Sequence, residues 1–135
     1  MIPVKEIMTT EIVTVTEETP IYEALNLLSE HEISGMPVLD ADRQLVGMLT
    51  EKDVLSILIN PKLSVDATVG QYMSRKVVSF LEDDDVIKVC KFFISVPLRR
   101  VPIVKNGKLV GIVSRHDIVK LILKLRHELS DYRFS

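Results

Sequence analysis

Gly47-Met48-Leu49-Thr50-Glu51-Lys52-Asp53 returns later in the chain as Gly111-Ile112-Val113-Ser114-Arg115-His116-Asp117. In both places an apolar strand ends in Gly-x-x-Ser/Thr-x-x-Asp, and an apolar run follows: Val54-Leu55-Ser56-Ile57-Leu58, then Ile118-Val119-Lys120-Leu121-Ile122. Working outward, the match continues. Val4-Lys5-Glu6-Ile7-Met8 pairs with Val69-Gly70-Gln71-Tyr72-Met73, Ile12-Val13-Thr14-Val15 with Val77-Val78-Ser79-Phe80, and Pro37 with Pro102, all at an offset of 65. A one-residue deletion then brings Leu45-Val46-Gly47 onto Leu109-Val110-Gly111 and Asp53 onto Asp117. One unit is written twice.

Each unit reads in the same order. Ile12 to Val15 is short and β-branched, a strand. Thr19 is placed to cap a helix and Pro20 suits its first position. Ile21, Ala24, Leu25, Leu27 and Leu28 recur at helical spacing. Met36 to Leu39 and Leu45 to Leu49 are strands joined by the turn Asp40-Ala41-Asp42-Arg43, and a helix opens at Thr50. The second unit repeats this with Val77 to Phe80 as its strand, an acidic helix start at Asp83-Asp84-Asp85 that suits the helix dipole, and an Asn106-Gly107 turn. The boundaries expected are a first unit with its entry segment over 1–60, a linker over 61–68, a second unit over 69–123 and a helical tail over 124–135. The fold class is α/β (α+β): two β-α-β-β-α repeats with small sheets, packed about a pseudo-two-fold axis. A single unit leaves one sheet face and two helix faces bare, so pairing the units is expected. It also creates two equivalent clefts, each bordered by a strand-to-helix turn.

The 135 residues are 47% hydrophobic and 27% charged, which supports a core, and with 5% aromatics and no Trp that core is aliphatic. A lone cysteine, Cys90, excludes an internal disulfide and fits a reducing compartment. No leader-like start and no membrane-length apolar run stand in the sequence, so a cytoplasmic protein without a membrane partner is expected. The net charge of −2 conceals a division: residues 1–65 carry four Lys/Arg against eleven Asp/Glu, residues 66–135 thirteen against eight. Opposite halves attract each other, or the second half holds an anion such as phosphate. Nucleic acid fits poorly, because the chain as a whole is not basic.

The spacing Thr50-x-x-Asp53, repeated as Ser114-x-x-Asp117, fits a helix capping box with no ligand. It also fits a ligand: a carboxylate accepts from two adjacent hydroxyls, and a helix start attracts phosphate. Arg99 and Arg100 point to opposite faces of a strand, so one faces the cleft. Guanidinium suits phosphate bidentately, while a solvated strand edge explains the pair equally well. Arg115, His116 and Lys52 lie within the turns, where they add charge near a phosphate or stand as exposed first-turn side chains.

The Val-x-x-x-Met entry, the Ile-Val-Thr-Val strand, the Met-Pro-Val strand and Gly-h-h-Ser/Thr-x-x-Asp together resemble cystathionine-β-synthase (CBS) domains. Two in tandem resemble a CBS pair, or Bateman module, over residues 4–58 and 69–123. The resemblance implies a regulatory module without catalysis that binds an adenine nucleotide (AMP, ADP or ATP), with S-adenosylmethionine or NAD ranked after these, between the repeats. It assigns Thr50, Asp53, Ser114 and Asp117 to ribose and phosphate, and Arg99 and Arg100 to phosphate. The first unit has Ser34-Gly35 in place of that basic pair, so the cleft served by Arg99 and Arg100 is expected to hold phosphate better. Adenine needs an apolar slot, for which Ile12, Val13, Met36, Val38, Val77, Val78, Val101 and Ile103 are candidates, though plain core explains most of them.

Other chemistry finds no support. Cys90 reads as a small core residue. His31, His116 and His127 make no metal spacing, and Asp83-Asp84-Asp85 lacks the alternation and glycine of a calcium loop. No nucleophile–base pair and no glycine-rich phosphate loop is present, so no catalytic cofactor is expected. The tail from Leu121, with Leu125, Leu129 and Phe134, continues the last helix toward a subunit contact. Leu27, Leu28, Phe92, Phe93 and Ile94 are candidates for a homodimer surface. The reading is thus a nucleotide sensor acting on a separate effector protein, its alternatives a ligand-free dimerisation scaffold and a nucleic-acid binder using the basic second half.

Overall fold

The first unit is built on α1 (Ile21–Glu30), β1 (Gly35–Leu39), β2 (Leu45–Thr50), α2 (Glu51–Val54) and α3 (Ser56–Ile59). The second has β3 (Phe80–Leu81), α4 (Val86–Ser95), β4 (Arg100–Lys105), β5 (Lys108–Ser114) and α5 (Arg115–Phe134). The structure, a computed structural model, describes residues 1–60 and 66–134, with side chains described as far as Leu129. Residues 61–65 of the expected linker lie outside the described residues. No described helix is long and apolar enough to cross a membrane.

Helix α1 buries Ile21, Ala24 and Leu28, one stripe at helical spacing. Its cap is not Thr19. The Thr19 hydroxyl accepts instead from the Thr16 amide at 3.0 Å, and Pro20 takes the N-cap position one residue later than expected. The matching helix α4 is capped by Asp85, whose carboxylate accepts from the Ile87 amide at 3.2 Å. Strands β1 and β2 pair antiparallel through a turn in which Asp40 Oδ1 accepts from the Asp42 and Gln44 amides, each at 2.9 Å. Strands β4 and β5 pair in the same way. There Asn106 and Gly107 have φ of 52° and 78°, the two positive values a tight hairpin requires. Both hairpins carry a register shift at repeat-equivalent places, after Val38 and after Ile103.

Two expected strands are shorter in the fold. Of Ile12 to Val15, only Val15 bridges, parallel to Val38; of Val77 to Phe80, only Phe80 joins a strand, Phe80–Leu81, parallel to β4. The residues before each belong to no strand, and β-branched composition alone cannot supply the missing partner.

The cores do not follow the written repeat. The first gathers Val15, Ile21, Ala24, Leu28, Met36, Val38 and Leu49, and completes itself with Ala67 and Val69 from the entry of the second unit. The second gathers Phe80, Val86, Val89, Phe93, Val101, Ile103, Val113 and Ile118, and completes itself with Val4 from the entry of the first. Backbone bonds fix the exchange. Val4 N–H donates to Asp84 O at 2.9 Å and Val86 N–H to Ile2 O at 2.8 Å; Ile21 N–H donates to Ala67 O and Val69 N–H to Thr19 O, both at 2.9 Å. Ion pairs Lys5–Asp83 and Arg75–Glu17 cross in the same directions.

This exchange explains the glycine of the repeated motif. Thr9 and Ile112 exchange backbone bonds at 2.9 Å, as do Met48 and Ser74. A Cβ on Gly111 would lie 2.3 Å from Met8 Sδ, and one on Gly47 would lie 2.3 Å from Met73 Cε and 2.6 Å from Ser74 O. The Val-x-x-x-Met entry of each unit therefore presses on the Gly-x-x-Ser/Thr strand of the other.

Candidate ligand cleft

The two strand-to-helix turns form capping boxes. At the first, Thr50 N–H donates to Asp53 Oδ2 at 2.9 Å and Asp53 N–H donates back to Thr50 Oγ1 at 3.4 Å. At the second, Ser114 N–H and Ser114 Oγ–H donate to Asp117 Oδ2 at 2.8 and 3.0 Å, and Asp117 N–H lies 3.2 Å from Ser114 Oγ. The described hydrogen bonds all engage Oδ2 of Asp117, so Oδ1 retains its acceptor capacity.

Asp117 and Ser114 form one wall of a cleft of about 280 Å³ between the units. Arg100 stands on the same side. Ile12, Val13, Ile33, Gly35 and Pro37 of the first unit form the opposite wall, with Thr9, Glu11, His31 and Ile112 completing it. Arg100 is half-buried and its Nε is enclosed without a hydrogen-bond partner. Burial lowers the Arg100 pKa from its usual value, and the Asp117 carboxylate opposes that shift. A guanidinium so placed stays charged and offers unused donors to an anion, beside a carboxylate with a free acceptor oxygen.

The other residues singled out from the sequence stand elsewhere. Thr50 and Asp53 cap α2 and do not line this cleft. Arg99 is exposed, and its carbonyl accepts from the Arg115 amide at 2.9 Å. Arg115 does not reach toward a phosphate. Its Nε donates to Leu98 O at 2.8 Å and its Nη2 to Phe93 O and Val96 O at 3.0 and 2.9 Å. It thus satisfies carbonyls where α4 ends, groups that no helical amide serves. His116 and Lys52 are exposed on the first turns of their helices.

Of the adenine candidates, Ile12 and Val13 line the cleft. Met36, Val38, Val101 and Ile103 are each 0% exposed in the two cores. They occupy the opposite strand face from Gly35, Pro37 and Arg100, because successive strand side chains alternate. Val77 is half-buried and Val78 exposed, and neither borders this cleft. The alternation that splits Arg99 from Arg100 also points to Gly35 and Pro37, so these two had a signal. Thr9, Glu11 and His31 had none, since the exchanged entry segment and the end of α1 bring them here. Among the described residues no group of His, Cys, Asp and Glu is arranged to hold a metal ion.

With two such units exchanging their entries around this cleft, the chain belongs to the CBS domain family: the CBS domain model matches residues 4–60 and 69–124. The two matches make it a tandem CBS pair. Uncharacterized protein MJ1225 of Methanocaldococcus jannaschii is 30% identical over 120 residues, covering 89% of this chain, and the chain spans 42% of that relative's length. Among solved structures, CBSX2 of Arabidopsis thaliana in complex with AMP superposes with a TM-score of 0.84 at 27% identity, covering 93% of this chain and 99% of that one. The CBS domain pair of protein MJ0100 in complex with 5′-methylthioadenosine and S-adenosyl-L-methionine gives 0.78 at 29%, covering 90% and 96%.

Proposed function

We propose that this CBS pair is a regulatory sensor of an adenine nucleotide, held in the Arg100–Asp117 cleft and reported to a separate protein. The observation that carries this reading is Arg100, with an enclosed, unpartnered Nε beside a carboxylate whose Oδ1 is free. In this assignment Asp117 Oδ1 accepts from ribose hydroxyls, Ser114 lies beside the sugar or phosphate, and Arg100 binds phosphate. Ile12 and Val13 contact the base. Thr50 and Asp53 offer a second, weaker site, where Gly35 stands at the repeat position of Arg100. The complexes of CBSX2 with AMP and of the MJ0100 pair with 5′-methylthioadenosine and S-adenosyl-L-methionine support an adenosine ligand. AMP, ADP and ATP are the first choices, because the cleft offers a guanidinium. No residue here is given a catalytic role, and the active form is a homodimer.

Calorimetric titration with AMP, ADP, ATP, S-adenosylmethionine and NAD tests this. At least one nucleotide should bind saturably. Asp117→Asn should weaken that binding about tenfold or more with little change in the ligand-free melting temperature. Arg100→Ala should weaken nucleotide binding similarly but leave adenosine binding unchanged. Five flat titrations would overturn the sensor and leave the capping boxes as purely structural devices.

A further inference from the structure

The charges that line the Arg100–Asp117 cleft do not balance. Arg100 is the one Lys or Arg among the described residues that line it, against two carboxylates, Asp117 and Glu11. Asp117 is held in its capping box, where it accepts from the Ser114 amide and hydroxyl. Glu11 is placed differently. It is exposed at the cleft and enters no ion pair among the described residues, whereas Glu17, Glu82, Asp83 and Asp84 each face a Lys or Arg.

The repeat shows that this charge is not a requirement of the fold. At the offset of 65, Thr9 and Glu11 fall on Ser74 and Lys76. The backbone beside them is fixed in the same way in both units, Thr9 bonding Ile112 as Ser74 bonds Met48. One framework thus carries a carboxylate at this position in the first unit and an ammonium in the second. Charge also acts here without a specific contact. A cleft of about 280 Å³ is roughly 8 Å across, no more than the screening length of about 8–10 Å at physiological salt. Every lining charge therefore acts on every charge of the ligand. One phosphate or carboxylate is met by the guanidinium of Arg100. A second and a third phosphate find no further Lys or Arg among the described lining residues, and they meet Glu11 and Asp117. Each pair of like charges at that distance, partly solvated, weakens binding about three- to tenfold.

We propose that the cleft selects a nucleoside bearing a single anionic group, and that Glu11 is the residue that rejects polyphosphates. This rests on the nucleotide reading above and narrows it. Calorimetric titration with adenosine, AMP, ATP and S-adenosylmethionine, in magnesium-free buffer at pH 8, tests it; these conditions keep imidazole neutral and terminal phosphates fully ionised. The native chain should bind AMP, S-adenosylmethionine or both at least tenfold more tightly than ATP. Glu11→Gln, which keeps the size of the side chain, should narrow that gap about threefold. Glu11→Lys, the charge that the repeat already carries, should narrow it about tenfold or more, and both variants should melt near the native temperature. Equal native affinities for AMP and ATP would overturn the selection while leaving the sensor standing. A native gap that neither variant narrows would assign the rejection to the size of the cleft and overturn the role of Glu11. Parallel losses for every ligand, adenosine included, would make Glu11 a structural residue and overturn that role as well. No binding of any of the four would overturn the nucleotide reading itself, and this inference with it.

Discussion

Arg100 and Arg115 are both cationic residues beside the second unit's β4–β5 hairpin and α5, yet the structure gives them different work. Arg115 donates to three carbonyls near the end of α4 and lies 5.9 Å from the Phe93 ring centroid, so it joins α5 to α4. Arg115→Met keeps the apolar stem and removes the donors. It should lower stability by about 1–2 kcal/mol in urea titration and leave nucleotide affinity unchanged. Arg100, whose Nε no described group satisfies, should show the reverse profile: little change in melting and a large loss of phosphate-dependent binding. Measuring both variants by both methods separates positioning from ligand contact.

At the scale of elements, the glycines of the repeated strand and the methionines of the entry segments form a cross-unit lock. The two locks are not equivalent. Around Gly111 the three nearest atoms are all of the Met8 side chain, whereas Gly47 also faces the backbone oxygen of Ser74. A flexible thioether can move aside; a hydrogen-bonded carbonyl cannot. Gly47→Ala and Gly111→Ala should each cost about 1–3 kcal/mol through overpacking, with Gly47→Ala the larger. Truncating Met8 to Ala should rescue part of the Gly111→Ala loss in a double-mutant cycle, while Met73→Ala should rescue Gly47→Ala much less. Additive losses at Gly111 and Met8 would mean that the side chain is not what excludes the Cβ.

For the whole molecule, the exchange of entry segments means neither unit owns a complete core. Val4, 0% exposed among second-unit residues, is held there by its backbone bond to Asp84 and by the Lys5–Asp83 ion pair at 2.8 Å. A hydrogen bond to Lys5, then its charge, lowers the Asp83 pKa from 3.8, and the same contacts raise that of Lys5 from 10.5. The depressed carboxyl contributes stability above its unfolded value and loses it as pH falls; the raised amine contributes below its own and loses it as pH rises. The melting-temperature gap between the native chain and Asp83→Asn should therefore be level from about pH 5 to 9 and close below about pH 4. Because the pair is exposed, the gap should be small and should shrink with salt.

The sequence by itself determined that a unit is repeated, where each hairpin turns, and which helix starts are capped by Ser/Thr-x-x-Asp. Those are local properties, set by turn chemistry, hydrophobic period and spacing within a few residues. Only the tertiary structure decided that each unit finishes the other's core, and that Ile12–Val15 lacks the neighbour a full strand requires. It also decided that Met36, Val38, Val101 and Ile103 face inward while Gly35, Pro37 and Arg100 face the cleft. Strand alternation permits either facing, and only the packing of the helices on one side selects it. Thr9, Glu11 and His31 reach the cleft, and Arg115 turns to the carbonyls near the end of α4, because segments far apart in the chain meet there. Such meetings depend on burial summed over the whole molecule, which no local pattern encodes.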